Sequence, residues 1–108
     1  MELKCVVAVL RPEVLTALEQ RLGALHIHGM TVTKAKGFGA HPNFFGNDWT
    51  TEHIRVEIFT PGELVDALIQ EIVEVANDQS GGNGIVAVLP VERFQRVQVA
   101  TEDVRARS

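Results

Sequence analysis

The chain has 108 residues, a formal net charge of −4, 45% hydrophobic residues and 22% charged residues. Such a length supports one domain with one core, and the acidic balance argues against nucleic-acid binding because phosphate backbones require a basic surface. The apolar runs are too short to span a bilayer and the N-terminal stretch lacks a signal-peptide layout, so we expect a cytoplasmic protein that is not inserted in the membrane.

The first half of the chain predicts a strand, a helix and a second strand. The segment 4–10 (KCVVAVL) is a valine-rich strand that stops before Pro12, and a proline near the first helical position suits a helix start. The segment 30–37 (MTVTKAKG), after Gly29, alternates like a strand. The apolar residues that recur at helical spacing between these strands are Val14, Leu15, Leu18, Leu22 and Leu25.

The second half predicts a strand, a helix and a strand again. The segment 54–59 (IRVEIF) alternates strictly as a strand, TPGE opens a second helix, and 77–84 (NDQSGGNG) ends it. A fourth strand is predicted at 85–89 and a short fifth strand at 93–99, before a polar and loose tail at 100–108. The apolar stripe of the second helix comprises Leu64, Val65, Leu68, Ile69, Ile72, Val73 and Ala76.

This order, βαββαβ, predicts an α+β ferredoxin-like fold over residues 1–108. The two helices can cover only one face of a four-stranded sheet, yet the first strand is apolar at both parities, with Cys5, Val7 and Val9 alternating with Val6, Ala8 and Leu10. A strand of this kind is typically buried on both faces. We therefore predict a closed homo-oligomer, in which another copy covers the second face. The single cysteine, Cys5, excludes an internal disulfide and is predicted to be a buried structural thiol.

A long connection joins the second and third predicted strands. It runs from about Gly39 to His53 and contains Phe44, Phe45 and Trp49 among Gly, Pro, Asn and Asp. Loops of this length in small domains are usually functional or mobile. Local packing as an Ω-loop is the alternative, and the three aromatic residues either order the loop or anchor a partner protein.

The segments GMTVTKAKGFG (29–39), IRVEIFTP and GGNGIVAVLPVERFQRVQV, in this order, resemble the PII signal-transduction family over nearly the whole chain. The resemblance implies a homotrimer of ferredoxin-like subunits with adenine nucleotides (ATP, ADP or AMP) in the clefts between subunits. It also implies a T-loop, here about 40–53, that docks onto a membrane transporter, a metabolic enzyme or a regulator. A B-loop at about 79–85 would hold phosphate through backbone N–H groups.

The resemblance assigns nucleotide contacts to particular positions. The strand and loop base match at Thr31, Gly37, Phe38 and Gly39; the B-loop glycines match at Gly82 and Gly84; the basic positions of the last strand match at Arg93 and Arg96. The partner-binding residues of the T-loop would be Phe44, Phe45 and Trp49.

Three departures from the family pattern weaken the expected triphosphate site. The lysine that follows the B-loop glycines is Ile85, a second phosphate-binding arginine is Gln98, and the glutamine at the loop base is His41. Two lost cations remove two charge-assisted contacts of roughly 1.5–3 kcal/mol each, so we expect weakened ATP binding or a ligand with less phosphate charge. The loop is short and the chain has no tyrosine, so the uridylylation site of some relatives is absent.

Metal binding is an alternative reading of the histidines. His26 and His28 share a face if extended, and His41 and His53 flank the loop. No cysteine joins them and the spacing matches no strong metal motif. His41 is therefore the one metal candidate, for a divalent metal at the loop base with or without a small carboxylate effector. The second hypothesis for function is therefore a metal-responsive trimer with weakened nucleotide binding.

Catalysis is not expected. The carboxylates Glu57, Asp66, Glu71 and Glu74 are scattered, and no Ser-His-Asp or Cys-His set is discernible. The favoured function is regulation, in nitrogen or carbon metabolism, through a small anionic effector and the T-loop.

Overall fold

Four antiparallel strands form one sheet, and two helices pack against one of its faces. The computed structural model describes residues 2–27, 29–36, 52–80 and 84–98. Short 3-10 turns at Pro12–Val14 and Gly62–Leu64 lead into the helices. The elements are β1 (Leu3–Leu10), α1 (Leu15–Ala24), β2 (Thr31–Lys36), β3 (Glu52–Pro61), α2 (Val65–Ser80) and β4 (Ile85–Pro90), and the sheet order is β2-β3-β1-β4. The predicted βαββαβ order is confirmed.

The core lies between the helices and the sheet face that carries the even-numbered residues of β1 and β3. Val6, Val56 and Ile58 are fully buried there, as the strict alternation of β3 predicts. The helices contribute the leucines and isoleucine that recur at helical spacing, namely Leu18, Leu22, Leu68 and Ile72. Each such side chain stabilises the fold by about 1.5–3 kcal/mol relative to an exposed one.

The end of α1 explains one of the four histidines. The N–H of Ile27 donates to the carbonyl of Leu22 at 2.9 Å and the N–H of His26 donates to the carbonyl of Gly23 at 3.0 Å. This pair of bonds is a Schellman motif, which requires a left-handed residue, and His26 has φ 61°. The position of His26 is therefore set by the end of the helix.

The sheet face opposite the helices, called the open face below, is only partly covered. Cys5, Val7 and Val9 lie on it and are 8%, 9% and 9% exposed, which confirms that β1 is buried at both parities. Side chains of the flanking strands provide this cover within the single chain. Large apolar side chains remain exposed on either side of β1, at Phe59 of β3 and Leu89 of β4.

Two element boundaries, the end of α2 and the start of β3, differ from the prediction. α2 continues to Ser80 instead of ending at residue 77, because the buried Val75 and Ala76 fix its last turns. β3 begins at Glu52, so the last two residues of the predicted T-loop belong to a strand that pairs with β2.

The predicted fifth strand at 93–99 is wrong over its described part. Residues 93–98 pair with no other strand that the structure describes, and Val97 is fully exposed. The alternating pattern indicates strand propensity, but a strand needs a partner for its backbone hydrogen bonds.

Candidate functional site

Gly84 stands at the start of β4, where the predicted B-loop ends. Its φ is +127°, and a Cβ at this position would lie 2.4 Å from the carbonyl oxygen of Val9 and 3.0 Å from Cδ2 of Leu10. Only glycine fits a position with this φ and this close approach of a neighbouring strand. The glycine therefore holds the end of the loop against β1, which is a structural requirement independent of any bound anion.

Thr31 begins β2 at the opposite edge of the sheet from Gly84. Thr31 pairs with Glu57 in β3, Glu57 pairs with Val7 in β1, and Val7 pairs with Ala87 in β4. These pairings place β2 and β4 three strand spacings apart, or about 14 Å. Within one chain, Thr31 and Gly84 therefore cannot contact the same phosphate group.

Arg93 lies toward the other end of β4. It precedes Phe94, whose ring packs edge-on against Phe59 with 5.2 Å between the ring centroids. Phe59 is four residues further along β3 than Arg55, which lies in the row of Val9 and Ile85, so the two rows are about 13 Å apart. One chain thus holds Arg93 and the start of β4 at different ends of the open face.

The remaining basic candidate, Arg96, is exposed and lies three residues after Arg93. The guanidinium of Arg93 donates to the side-chain oxygen of Gln95 at 3.2 Å. Ile85, at the position of the missing lysine, is half-buried, so an apolar side chain follows Gly84 at the end of the predicted B-loop.

The other predicted contacts lie outside the described residues. They are Gly37, Phe38, Gly39, His41, Phe44, Phe45, Trp49 and Gly82. Their assignments to nucleotide, metal and partner binding stay predictions.

The open face has a polar half and an apolar half. Arg55 and Glu57 form an ion pair on β3, and they adjoin the threonines of β2. Burial raises the pKa of the Cys5 thiol, and the nearby Glu57 carboxylate raises it further. Cys5 is therefore held as a neutral thiol, as the prediction of a structural cysteine requires.

The apolar half is formed by Phe59, Leu89 and Phe94, here called the apolar patch. These side chains are 49%, 47% and 49% exposed, and Phe59 and Leu89 flank Cys5 in the same row of the sheet. Exposed apolar side chains that cluster in this way mark surfaces for association.

Among the described residues, no group of three His, Cys, Asp or Glu side chains is placed to hold a metal ion. His53 is buried at the start of β3, while its predicted neighbour His41 lies outside the described range. No helix in the described ranges has the length and apolar character needed to cross a membrane.

Comparison with known proteins decides the family. A model of the nitrogen regulatory protein P-II family matches residues 3–101. The chain belongs to the P-II family. The nitrogen regulatory protein P-II of Haemophilus influenzae is 31% identical to it over 108 residues, which cover 94% of this chain and 96% of that protein. The P-II 1 protein of Escherichia coli is 30% identical with the same coverage.

The P-II fold is also evident in three dimensions. The crystal structure of Arabidopsis thaliana PII bound to citrate has a TM-score of 0.73 and 29% sequence identity with this chain, covering 89% of this chain and 83% of that one. The resemblance found in GMTVTKAKGFG and GGNG is thus confirmed. By family, this P-II chain is a signal-transduction protein named for nitrogen regulation.

Sequence reasoning did not find the apolar patch. The signal was present in IRVEIF, where Phe59 has the opposite parity to Ile54, Val56 and Ile58. An aromatic residue on the second face of a half-buried strand predicts a covering partner. Phe94 carries no such signal, because its approach to Phe59 depends on how the chain turns after β4.

Proposed function

We propose that this P-II chain acts as a cytoplasmic homotrimeric regulator. It binds an adenine nucleotide, or a related small anionic effector, in clefts between subunits. Binding changes the conformation of residues 40–53 and with it the affinity for a membrane transporter or metabolic enzyme. The site-specific parts of this proposal concern Thr31, Gly84, Arg93 and Arg96.

The observation that carries the proposal is the separation of these residues within one chain. Thr31 and Gly84 lie on opposite edges of the sheet, whose edge strands are about 14 Å apart. A ligand that contacts both edges through one phosphate group must take them from two copies. A cleft between copies meets this condition, whereas a pocket within one chain does not.

The apolar patch supports association through the open face. Phe59, Leu89 and Phe94 are each about half exposed, and covering such side chains removes apolar surface from water at about 25 cal/mol per Å². The exposed strand-like segment around Val97 is a second surface that a neighbouring copy could bury or pair with as a strand.

The ligand is expected to be an anion of modest charge. Ile85 supplies no cation beside Gly84, which leaves backbone N–H groups and the two arginines to meet negative charge. Citrate, the ligand in the Arabidopsis PII structure, is a small carboxylate and supports the same ligand class. We expect ATP to bind no more tightly than ADP.

Assembly is tested by measuring the mass of the protein in solution by light scattering. Leu89→Gln should lower the mass toward that of a monomer, because Leu89 faces the open side of β4. Val88→Gln is the matched control, since Val88 is 38% exposed on the helix side of the same strand and should leave the mass unchanged. A monomeric wild-type protein would disprove the trimer and the intersubunit site together.

Ligand binding is tested by calorimetry with ATP, ADP, AMP and citrate, with and without Mg²⁺. Arg96→Gln should weaken nucleotide binding by about tenfold or more, as expected for a charge-assisted contact. A trimer that gives no heat with any of these ligands would refute the effector and leave the assembly standing. If instead a transition metal gives heat that His41→Ala abolishes, the metal-responsive alternative is correct.

A further inference from the structure

A groove runs between the second half of α2 and the start of β4, on the helix side of the sheet. It encloses about 320 Å³, within the range of about 300–1,000 Å³ that small-molecule sites occupy. Its floor consists of Leu10, Ile72 and Ala76, which are 2%, 1% and 7% exposed. The side chains that form its walls are Ile69, Val73 and Val86. Ile85 also lines the groove, but its side chain lies in the row of Val9 on the open face.

The groove is apolar over nearly its whole lining. Asn77 is the one polar side chain among the lining residues, and Gly84 contributes only backbone at the rim. Val73 is 44% exposed beside the opening. A guest in this groove must therefore have an apolar body, because a polar one would lose its hydration without gaining hydrogen bonds.

The charges around the groove are negative. The two helices with their entry turns carry one basic residue, Arg21, against seven acidic residues, which are Glu13, Glu19, Glu63, Asp66, Glu71, Glu74 and Asp78. Arg21 donates to Glu71 at 2.6 Å and to Glu74 at 3.0 Å, so it is held on the side of α2 that faces α1. No cationic side chain lines the groove in the described part of the chain.

Asp66 is the carboxylate that faces the groove side of α2. It lies three residues before Ile69 and seven before Val73, which places all three on neighbouring positions of one helix face. Asp66 is exposed and has no ion-pair partner within residues 2–27, 29–36, 52–80 and 84–98. It is free to pair with a cation at the end of the groove.

We propose that the α2–β4 groove binds a small amphipathic cation, an alkyl group that carries an ammonium. The alkyl group occupies the space between Val73 and Val86, and the ammonium pairs with Asp66. The site is separate from the intersubunit site proposed above, since it lies on the opposite face of the sheet, and it does not depend on nucleotide binding.

The test compares three probes with the same six-carbon chain, hexylammonium, hexanol and hexanoate, on the full protein with labelled methyl groups. At low ionic strength, where charge is least screened, hexylammonium should shift the methyl resonances of Ile69, Val73 and Val86. Its apparent Kd should be about two- to fivefold lower than that of hexanoate, as expected for one exposed ion pair.

Two variants and a control separate the apolar and charged contributions. Asp66→Asn should remove the preference for hexylammonium and leave hexanol binding unchanged. Val73→Arg should abolish binding of all three probes, because it blocks the opening and places a cation there. Glu19→Gln, which makes the same charge change on α1, should alter none of the three affinities.

Several results would overturn the proposal. One is hexanoate binding as tightly as hexylammonium; another is a preference for hexylammonium that survives Asp66→Asn. Shifts confined to Phe59, Leu89 and Phe94 would place the binding on the open face instead. If no probe shifts the methyl resonances of Ile69, Val73 and Val86, the groove is not a binding site.

Discussion

Replacement of Gly84 by alanine tests whether the start of β4 is held by its contact with β1. The added Cβ would lie 2.4 Å from the carbonyl oxygen of Val9, which is far inside van der Waals contact, and 3.0 Å from Cδ2 of Leu10. The Leu10 side chain is 2% exposed and packed in the core. Neither neighbour can move without disturbing β1, the strand at the centre of the hydrophobic layer.

Two costs add in this variant. An L-residue held at a φ of +127° is strained by roughly 1–3 kcal/mol, and forcing an extra methyl group into a packed site costs typically about 1–3 kcal/mol. We expect Gly84→Ala to lower the free energy of unfolding by roughly 2–6 kcal/mol.

The assay is urea unfolding followed by circular dichroism, at one protein concentration because association affects stability. Gly23→Ala is the matched control. Gly23 lies in the last turn of α1, and an added Cβ would meet nothing within 4 Å. Alanine there should raise the free energy of unfolding by about 0.5–1 kcal/mol, because it has the higher helix propensity.

The reasoning is refuted if Gly84→Ala unfolds at the wild-type urea concentration, or if both glycine variants lose stability equally. Ligand titration of the same variant adds a second measurement. If Gly84→Ala keeps wild-type stability but loses ligand binding, the glycine serves the ligand directly and its contact with Val9 is incidental.

Three further variants test other features of the fold. Thr60 is 1% exposed and its hydroxyl has no hydrogen-bond partner within the described ranges, so Thr60→Val should raise the free energy of unfolding by about 1–2 kcal/mol, measured by urea unfolding. His26→Gly should raise it by about 0.5–1 kcal/mol, since glycine adopts the left-handed conformation of this helix end without strain. The hydrogen bond from Arg21 lowers the pKa of Glu74, so the stabilisation by this pair exists above the ordinary glutamate pKa of about 4.3 and is lost as the pH falls below it. Arg21→Ala should therefore destabilise the protein more at pH 7 than at pH 3 in urea unfolding.

Each of these three predictions has an outcome that would contradict it. Thr33→Val, at an exposed threonine of β2, should change stability by less than about 0.5 kcal/mol, and a gain equal to that of Thr60→Val would show that burial of the hydroxyl is irrelevant. A loss of stability in His26→Gly would mean that the histidine ring contributes more than the backbone strain costs. A destabilisation by Arg21→Ala that is the same at both pH values would assign the effect to packing of the arginine stem.

The family and most of the fold could be predicted from local patterns. The alternation in IRVEIF placed Ile54, Val56 and Ile58 in the core, because the side-chain period of a strand is two. The double parity of β1 indicated burial on both faces. GMTVTKAKGFG and GGNG resembled the P-II family, and the glycine that ends GGNG, Gly84, serves backbone geometry, a requirement that leaves a sequence signature.

The element boundaries and the contacts between distant segments could be determined only from the three-dimensional structure. The strand pattern at 93–99 did not form a strand in the described residues, since pairing depends on a neighbouring edge that no local pattern supplies. From the sequence, Gly84 is predicted to let backbone N–H groups approach a phosphate. The fold shows a second role, its close approach to the carbonyl of Val9.

The sequence alone was sufficient to establish the α+β class, the order of the six elements and the P-II family, because these depend on periodicity and on residue types at short spacing. The separation of Thr31 from Gly84 and the contact of Phe94 with Phe59 became evident only in three dimensions. Both join residues that are far apart in the chain, and strand order and register, rather than composition, determine such distances.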